Sequence, residues 1–300
     1  MKFLKSLAGF IPVIVFEMIQ IGMAMVVMMG VSFMTAFSNP SLASDPTALS
    51  NAMLEKIGEL TMPITFASEI VTILAFGIWY WFAYVRKHSY AYNPVRVLTK
   101  NSIPALPMAF LGMYFFVSLY MVIISVLFPH AMDVYNDMMS TNFGDFNDIL
   151  TIITAIILAP IAEELCFRGL TVKLFRWAGL GMWLTIFISA FIFGLVHIDP
   201  THFTLIQFGY TFILGALLAY LAISYDSIYV SILGHIVFNF CGTIVSSLEA
   251  KLPESVQGPY IIIAGIIGIG LIAGAVLLVW KDPRAQENRN GFGIKRIAKE

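Results

Sequence analysis

The chain alternates between long, continuously apolar runs and short polar connectors. A membrane-crossing helix needs about 20 mostly apolar residues. By that rule the sequence predicts spans near 10–34, 62–85, 103–128, 147–167, 183–201, 203–224, 228–248 and 259–280. The runs are uniformly apolar rather than alternating, which selects helices over barrel strands. The expected fold is therefore all-α, a polytopic bundle of about eight spans around a central polar cavity. The longest connector, about 35–61, is too short for a soluble domain. Lys2 and Lys5 lead into a first run longer than the 7–15 residues of a signal peptide's core, so it is read as an uncleaved span despite the cleavage-like Ser41-Leu42-Ala43.

Composition agrees with the pattern. Hydrophobic residues make up 59% of the 300 positions and charged residues 12%, with a mean hydropathy of +0.86. A soluble domain carries about twice that charge. The net charge of -1 gives no sign of a nucleic-acid surface. Cys166 and Cys241 sit in apolar stretches without metal-ligand spacing and read as buried, unpaired thiols.

Charge sets an expected orientation. Lys2 and Lys5, then Arg86, Lys87, Arg96 and Lys100, then Lys173 and Arg176, then Lys281, Arg284, Arg289, Lys295, Arg296 and Lys299 fall on one side of an eight-span chain. Alternate connectors are acidic: Asp45, Glu55 and Glu59 outweigh Lys56, and Asp133, Asp137 and Asp145 stand without Lys or Arg. Basic residues favour the cytoplasmic side, so both termini are expected there.

Ionisable groups inside a span cost roughly 2.5–3.5 kcal/mol each, so each requires a reason. The fourth span holds Glu163-Glu164 and Arg168 after Pro160, whose ring interrupts the hydrogen-bond ladder. Glu164 and Arg168 are four apart and face each other. Glu163 points about 100° away without a local counter-charge, as suits a general acid or base. His197 closes Phe193-Gly194-Leu195-Val196-His197, and His235 and Asn239 share a face of span seven. Seventeen residues separate Glu163 from the turn at Leu180, and another seventeen lead to His197. A helical hairpin thus sets the two at one depth. His235 enters from the same side to a similar level, about 10 Å in.

Three stretches carry a resemblance: Glu163-Glu164-Leu165-Cys166-Phe167-Arg168 (with Gly169 following), Phe193 to His197, and His235 to Asn239. In this order on separate spans they resemble the EExxxR, FxxxH and HxxxN motifs of the CAAX proteases and bacteriocin-processing enzymes. The resemblance covers about 160–240 and implies hydrolysis of a peptide bond in a membrane-embedded or lipidated peptide, and the Phe167-Arg168-Gly169 run, similar to that of prokaryotic members, implies a prokaryotic cell membrane. It implies that Glu163 activates water with His197 positioning it, that His235 and Asn239 stabilise the oxyanion, and that the Glu164–Arg168 pair tunes Glu163. No cofactor is certain. If zinc is used, Glu163, His197 and His235 are its implied ligands, although no HExxH pair is present. The domain reading is 1–146 as a motif-free three-span region, 147–250 as the catalytic core, and 251–300 as the last span with a basic tail.

Two other classes stay open on sequence: a proton-coupled transporter, and a catalytically silent scaffold or immunity factor. Outside the motifs, Glu17 and Gln20 are expected to provide local pairing or pore-side polarity. Glu69 is expected as a hydrated helix end, His202 as loop, and the Met23–Met34 run as adaptable packing.

Overall fold

The computed structural model describes residues 2–38, 45–87, 94–143 and 148–291. Asp145, Lys295, Arg296, Lys299 and the Ser41–Ala43 stretch lie outside the described residues. Among those described there are helices and no strands. Seven helices are long and apolar enough to cross a membrane, and the chain is an integral membrane protein.

In chain order the helices are α1 (Leu4–Ser38), α2 (Pro46–Ala83), α3 (Ser102–Leu127), α4 (Pro129–Phe143), α5 (Ile149–Trp177), α6 (Met182–Leu195), α7 (Ile206–Tyr225), α8 (Ile228–Glu249), α9 (Glu254–Lys281) and α10 (Pro283–Gly291). Two differ from the sequence expectation. The connector at 35–61 shrinks because α2 begins at Pro46: the Asp45 carboxylate caps the backbone N–H of Thr47 and Ala48, and proline fits the first helical position. The fifth expected span is the 14-residue α6, about 21 Å long and too short to cross the hydrocarbon core. Its helix ends two residues before His197, and non-helical backbone follows to Leu205.

Polar contacts gather the basic connectors at one end of the bundle. Tyr84 after α2 donates its hydroxyl to Asp226 in the α7–α8 turn, and Lys173 of α5 pairs with the same carboxylate at 2.9 Å. Thr99 before α3 and Tyr225 both donate to Asp282 after α9. Arg289 of α10 reaches Ser224 and the carbonyl of Trp280. Trp81, Trp177, Trp183 and Trp280 are exposed at this end, the position of an interfacial aromatic belt. At the other end His202 lies 3.5 Å from Asp137 of α4.

Lipid-facing residues account for the chain's greasiness. Met25, Met28, Met29 and Met34 are exposed, so the methionine run covers the outside of α1 rather than packing within. α9 packs on α3 through glycines: a Cβ at Gly268 would sit 2.8 Å from the Gly112 carbonyl oxygen. Small residues let two membrane helices approach this closely. Cys166 and Cys241 are buried free thiols.

Candidate active site

The polar centre is built on α5, whose helix is continuous through Pro160 rather than broken. The adjustment is made by two π-helical turns, Thr154–Leu158 and Leu165–Thr171, flanking Ala159–Glu164. Proline cannot donate to the carbonyl four residues back, and a widened turn is one way to absorb that loss. Glu163 and Glu164 thus project from a short α-helical piece between two wider turns.

Glu164 is fully buried and holds a chain of contacts. Its Oε1 accepts from Arg168 at 2.7 Å and lies 3.0 Å from His235 Nδ1. The second guanidinium nitrogen of Arg168 donates to the Gly215 carbonyl at 3.1 Å. A Cβ at position 215 would press on Phe193 at 3.0 Å and on that nitrogen at 3.3 Å, so glycine gives the close approach. The sequence placed Glu164 with Arg168; it did not show that the same oxygen also orients His235.

Glu163 faces the two imidazoles. Its Oε2 lies 3.8 Å from His235 Nε2 and 4.0 Å from His197 Nε2, and it has no hydrogen-bond partner. These gaps exceed a direct hydrogen bond and suit one bridging water. His197 Nδ1 lies 2.7 Å from the Phe193 carbonyl. A carbonyl only accepts, so Nδ1 carries hydrogen, and in the neutral ring Nε2 presents a lone pair towards Glu163.

Phe193 explains the spacing of its motif. Its ring is 4.5 Å from the Arg168 guanidinium carbon, 4.6 Å from the His197 ring and 5.8 Å from the His235 ring. One aromatic therefore braces the cation and both imidazoles. Asn239 donates its side-chain N–H to the Ala155 carbonyl at 2.8 Å, tying α8 to the first π turn. An amide nitrogen has two hydrogens, so one remains for another partner.

Helix counts give the depth. From Lys173 to Glu163 is about 15 Å, and from Asp226 to His235 about 13 Å, measured from the ion pair that joins them. The expected convergence of the three stretches at one level is what the geometry has.

Glu163, His197, His235 and Asn239 line a cavity of about 790 Å³ that also reaches Gln20, Glu69, Tyr114, Glu249 and Tyr260. Glu69 corrects the expectation of a hydrated helix end: it is 5% exposed and accepts from Gln20 at 3.3 Å. Ser68 in turn donates to Gln20 at 2.6 Å. The pairing of Gln20 matches its expected pore-side role, but its partner lies 49 residues away. His202 lies in the α6–α7 connector, as expected, where Asp199 accepts its backbone N–H.

For zinc, the donors are Glu163 Oε2 and the Nε2 atoms of His197 and His235. Tetrahedral ligands bound at about 2.0–2.1 Å stand about 3.4 Å apart, and here the separations are 3.8 and 4.0 Å. No group of three His, Cys, Asp or Glu side chains among the described residues has metal-holding geometry. As placed, the set does not fit the metal.

Residues 145–241 match the family model described as Type II CAAX prenyl endopeptidase Rce1-like. That stretch contains every motif residue from Glu163 to Asn239. This segment is similar to the CAAX prenyl endopeptidases. The chain is also similar to the probable CAAX prenyl protease 2 of Schizosaccharomyces pombe, 31% identical over 102 residues. The match covers 29% of this chain and 38% of that protein, so the chain spans well under half of its curated relative. No solved structure matches. The family segment stops short of α9 and leaves out α1–α4, yet Gln20, Glu69 and Tyr114 from the unmatched helices line the same cavity.

Proposed function

We propose that the protein is an intramembrane endopeptidase that hydrolyses a peptide bond in a membrane-associated or lipidated peptide. The observation that carries the reading is the convergence of Glu163 with His197 and His235 on one water-sized gap, at the wall of a cavity inside an apolar bundle. The family segment supports the reaction class.

In this mechanism water occupies the gap, donating to Glu163 and to the Nε2 lone pair of His197. Glu163 takes a proton as the water oxygen bonds to the substrate carbonyl carbon, and the C=O pair moves to oxygen. The free N–H of Asn239 donates to that oxyanion. His235 joins it when Nε2 is protonated, an imidazolium balanced by Glu164. Glu163 then returns its proton to the departing nitrogen as the C–N bond breaks. Removing one oxyanion donor typically costs about 10²–10³ in turnover.

The test is comparative proteomics of membrane peptides in cells carrying Glu163→Ala against wild type. Uncleaved precursors accumulate in the variant under this reading. Equal peptide profiles in the two strains, with the variant present at wild-type level, overturn it.

A further inference from the structure

Apart from two imidazoles and several phenols, every ionisable side chain lining the cavity is an acid. Its lining includes Glu69, Glu163 and Glu249, and among the described lining residues there is no Lys or Arg. Lys251 is exposed two residues beyond Glu249, outside the lining.

The three carboxylates are spaced rather than clustered. Tyr84 and Lys173 both bind Asp226, which gives α2, α5 and α8 a common level at the basic end. Counted from there at about 1.5 Å per residue, Glu163 lies about 15 Å in, Glu69 about 22 Å and Glu249 about 34 Å. Glu249 therefore stands about 20 Å beyond His235 along α8, at the end of the bundle away from the basic connectors.

Two observations point to a ligand. Glu69 is 5% exposed, faces the cavity, and its Oε2 has no hydrogen-bond partner. Nothing in the chemistry assigned to Glu163 and the histidines uses it. Glu249 is fixed in place by two phenols: Tyr260 donates to Oε1 and Tyr114 to Oε2, each at 2.7 Å. Each oxygen keeps a lone pair for a further donor. Gln20 serves only Oε1 of Glu69; a buried carboxylate oxygen left without a donor is costly, and a cation supplied by the substrate would satisfy Oε2.

We infer that the outward arm of the cavity, walled by Glu69 and Glu249, is a subsite for a cationic group of the peptide. The inference rests on the peptidase reading above. An extended chain covers about 3.3–3.6 Å per residue, so a group held at Glu249 lies about six residues from the bond at Glu163. A group held at Glu69 lies about two residues away. The cation is a Lys or Arg side chain or a free α-amino group.

The test uses the full chain reconstituted in neutral phosphatidylcholine vesicles with a randomised 14-residue peptide library, the cuts being read by mass spectrometry. Amino-terminally acetylated and free libraries separate a side-chain cation from an α-amine. Wild-type cuts are expected to be at least fivefold enriched in a cation five to seven residues from the broken bond. Glu249→Gln is expected to abolish that enrichment, and Glu249→Lys to turn it towards Asp and Glu. Unbiased cuts, an enrichment that survives Glu249→Gln, or complete inactivity of both Glu249 variants overturns the subsite. Absence of any Glu163-dependent cutting by the wild-type protein is a separate result: it removes the peptidase reading itself.

Discussion

His235 Nδ1 stands 3.0 Å from Glu164 Oε1, the same oxygen that Arg168 reaches at 2.7 Å. A single buried carboxylate oxygen thus couples the fully buried Glu164–Arg168 ion pair to an imidazole facing the cavity. In the proposed mechanism Glu164 is therefore a positioning residue, and Glu163 is the carboxylate that would meet substrate and water.

Glu164 variants separate support from chemistry. Glu164→Ala leaves the Arg168 guanidinium buried without its carboxylate, which costs about 3–5 kcal/mol. Glu164→Gln keeps an oxygen acceptor for His235 and loses only the charge. Thermal unfolding in detergent micelles, followed by tryptophan fluorescence, should show a much lower midpoint for the alanine variant than for glutamine. Peptide cleavage should fall in both, because an imidazolium at His235 needs the negative charge. Full activity in Glu164→Gln would detach His235 from the oxyanion.

Glu163→Gln gives the complementary pattern. The side chain keeps its volume, and no ion pair shorter than 3.8 Å is broken by removing its charge. The unfolding midpoint should stay near wild type while turnover falls by about 10²–10⁴, the usual worth of a general base. A large stability loss would instead make Glu163 a structural anchor.

The chemistry of the site was more legible in the sequence than its walls. Residue counts from the Leu180 turn set Glu163 and His197 level, since helices fix rise per residue and the turn fixes direction. The face that α2 turns inward was not legible. Glu69 is one carboxyl in an apolar run, and the residue that engages it, Gln20, comes from another helix. The π turns were equally hidden, because Pro160 announces a disturbed ladder without saying how it is relieved. The early start of α2 had its signal in Asp45-Pro46, a capping residue followed by proline at the first helical position. The short α6 is a third case: apolar residues continue past its end, but Asp199-Pro200 and the polar contacts of His202 hold the backbone out of the helix.

Phe193 should be less replaceable than an ordinary core aromatic. Phe193→Leu preserves apolar volume but removes the ring that lies against Arg168, His197 and His235. A desolvated cation–π contact is worth about 2 kcal/mol. The expected result is a stability loss of that order with a disproportionate fall in cleavage, since both imidazoles lose their brace. Wild-type turnover in this variant would reduce Phe193 to packing alone.

Asn239 offers the sharpest separation of tether from catalyst. One of its N–H groups ties α8 to the Ala155 carbonyl, and in the proposed mechanism the other meets the oxyanion. Asn239→Asp deletes both donors and sets a carboxylate against that carbonyl, so stability and turnover should both drop. Asn239→Ala deletes the donors without adding charge. Its turnover should fall by about 10²–10³, as for other single oxyanion donors, with KM for a given peptide little changed. Its stability cost should stay near 1–3 kcal/mol, the penalty for leaving one buried carbonyl unpaired. If turnover in Asn239→Ala tracks the unfolding midpoint and recovers fully on cooling, the amide is a strap between α5 and α8. The oxyanion then rests on His235 alone.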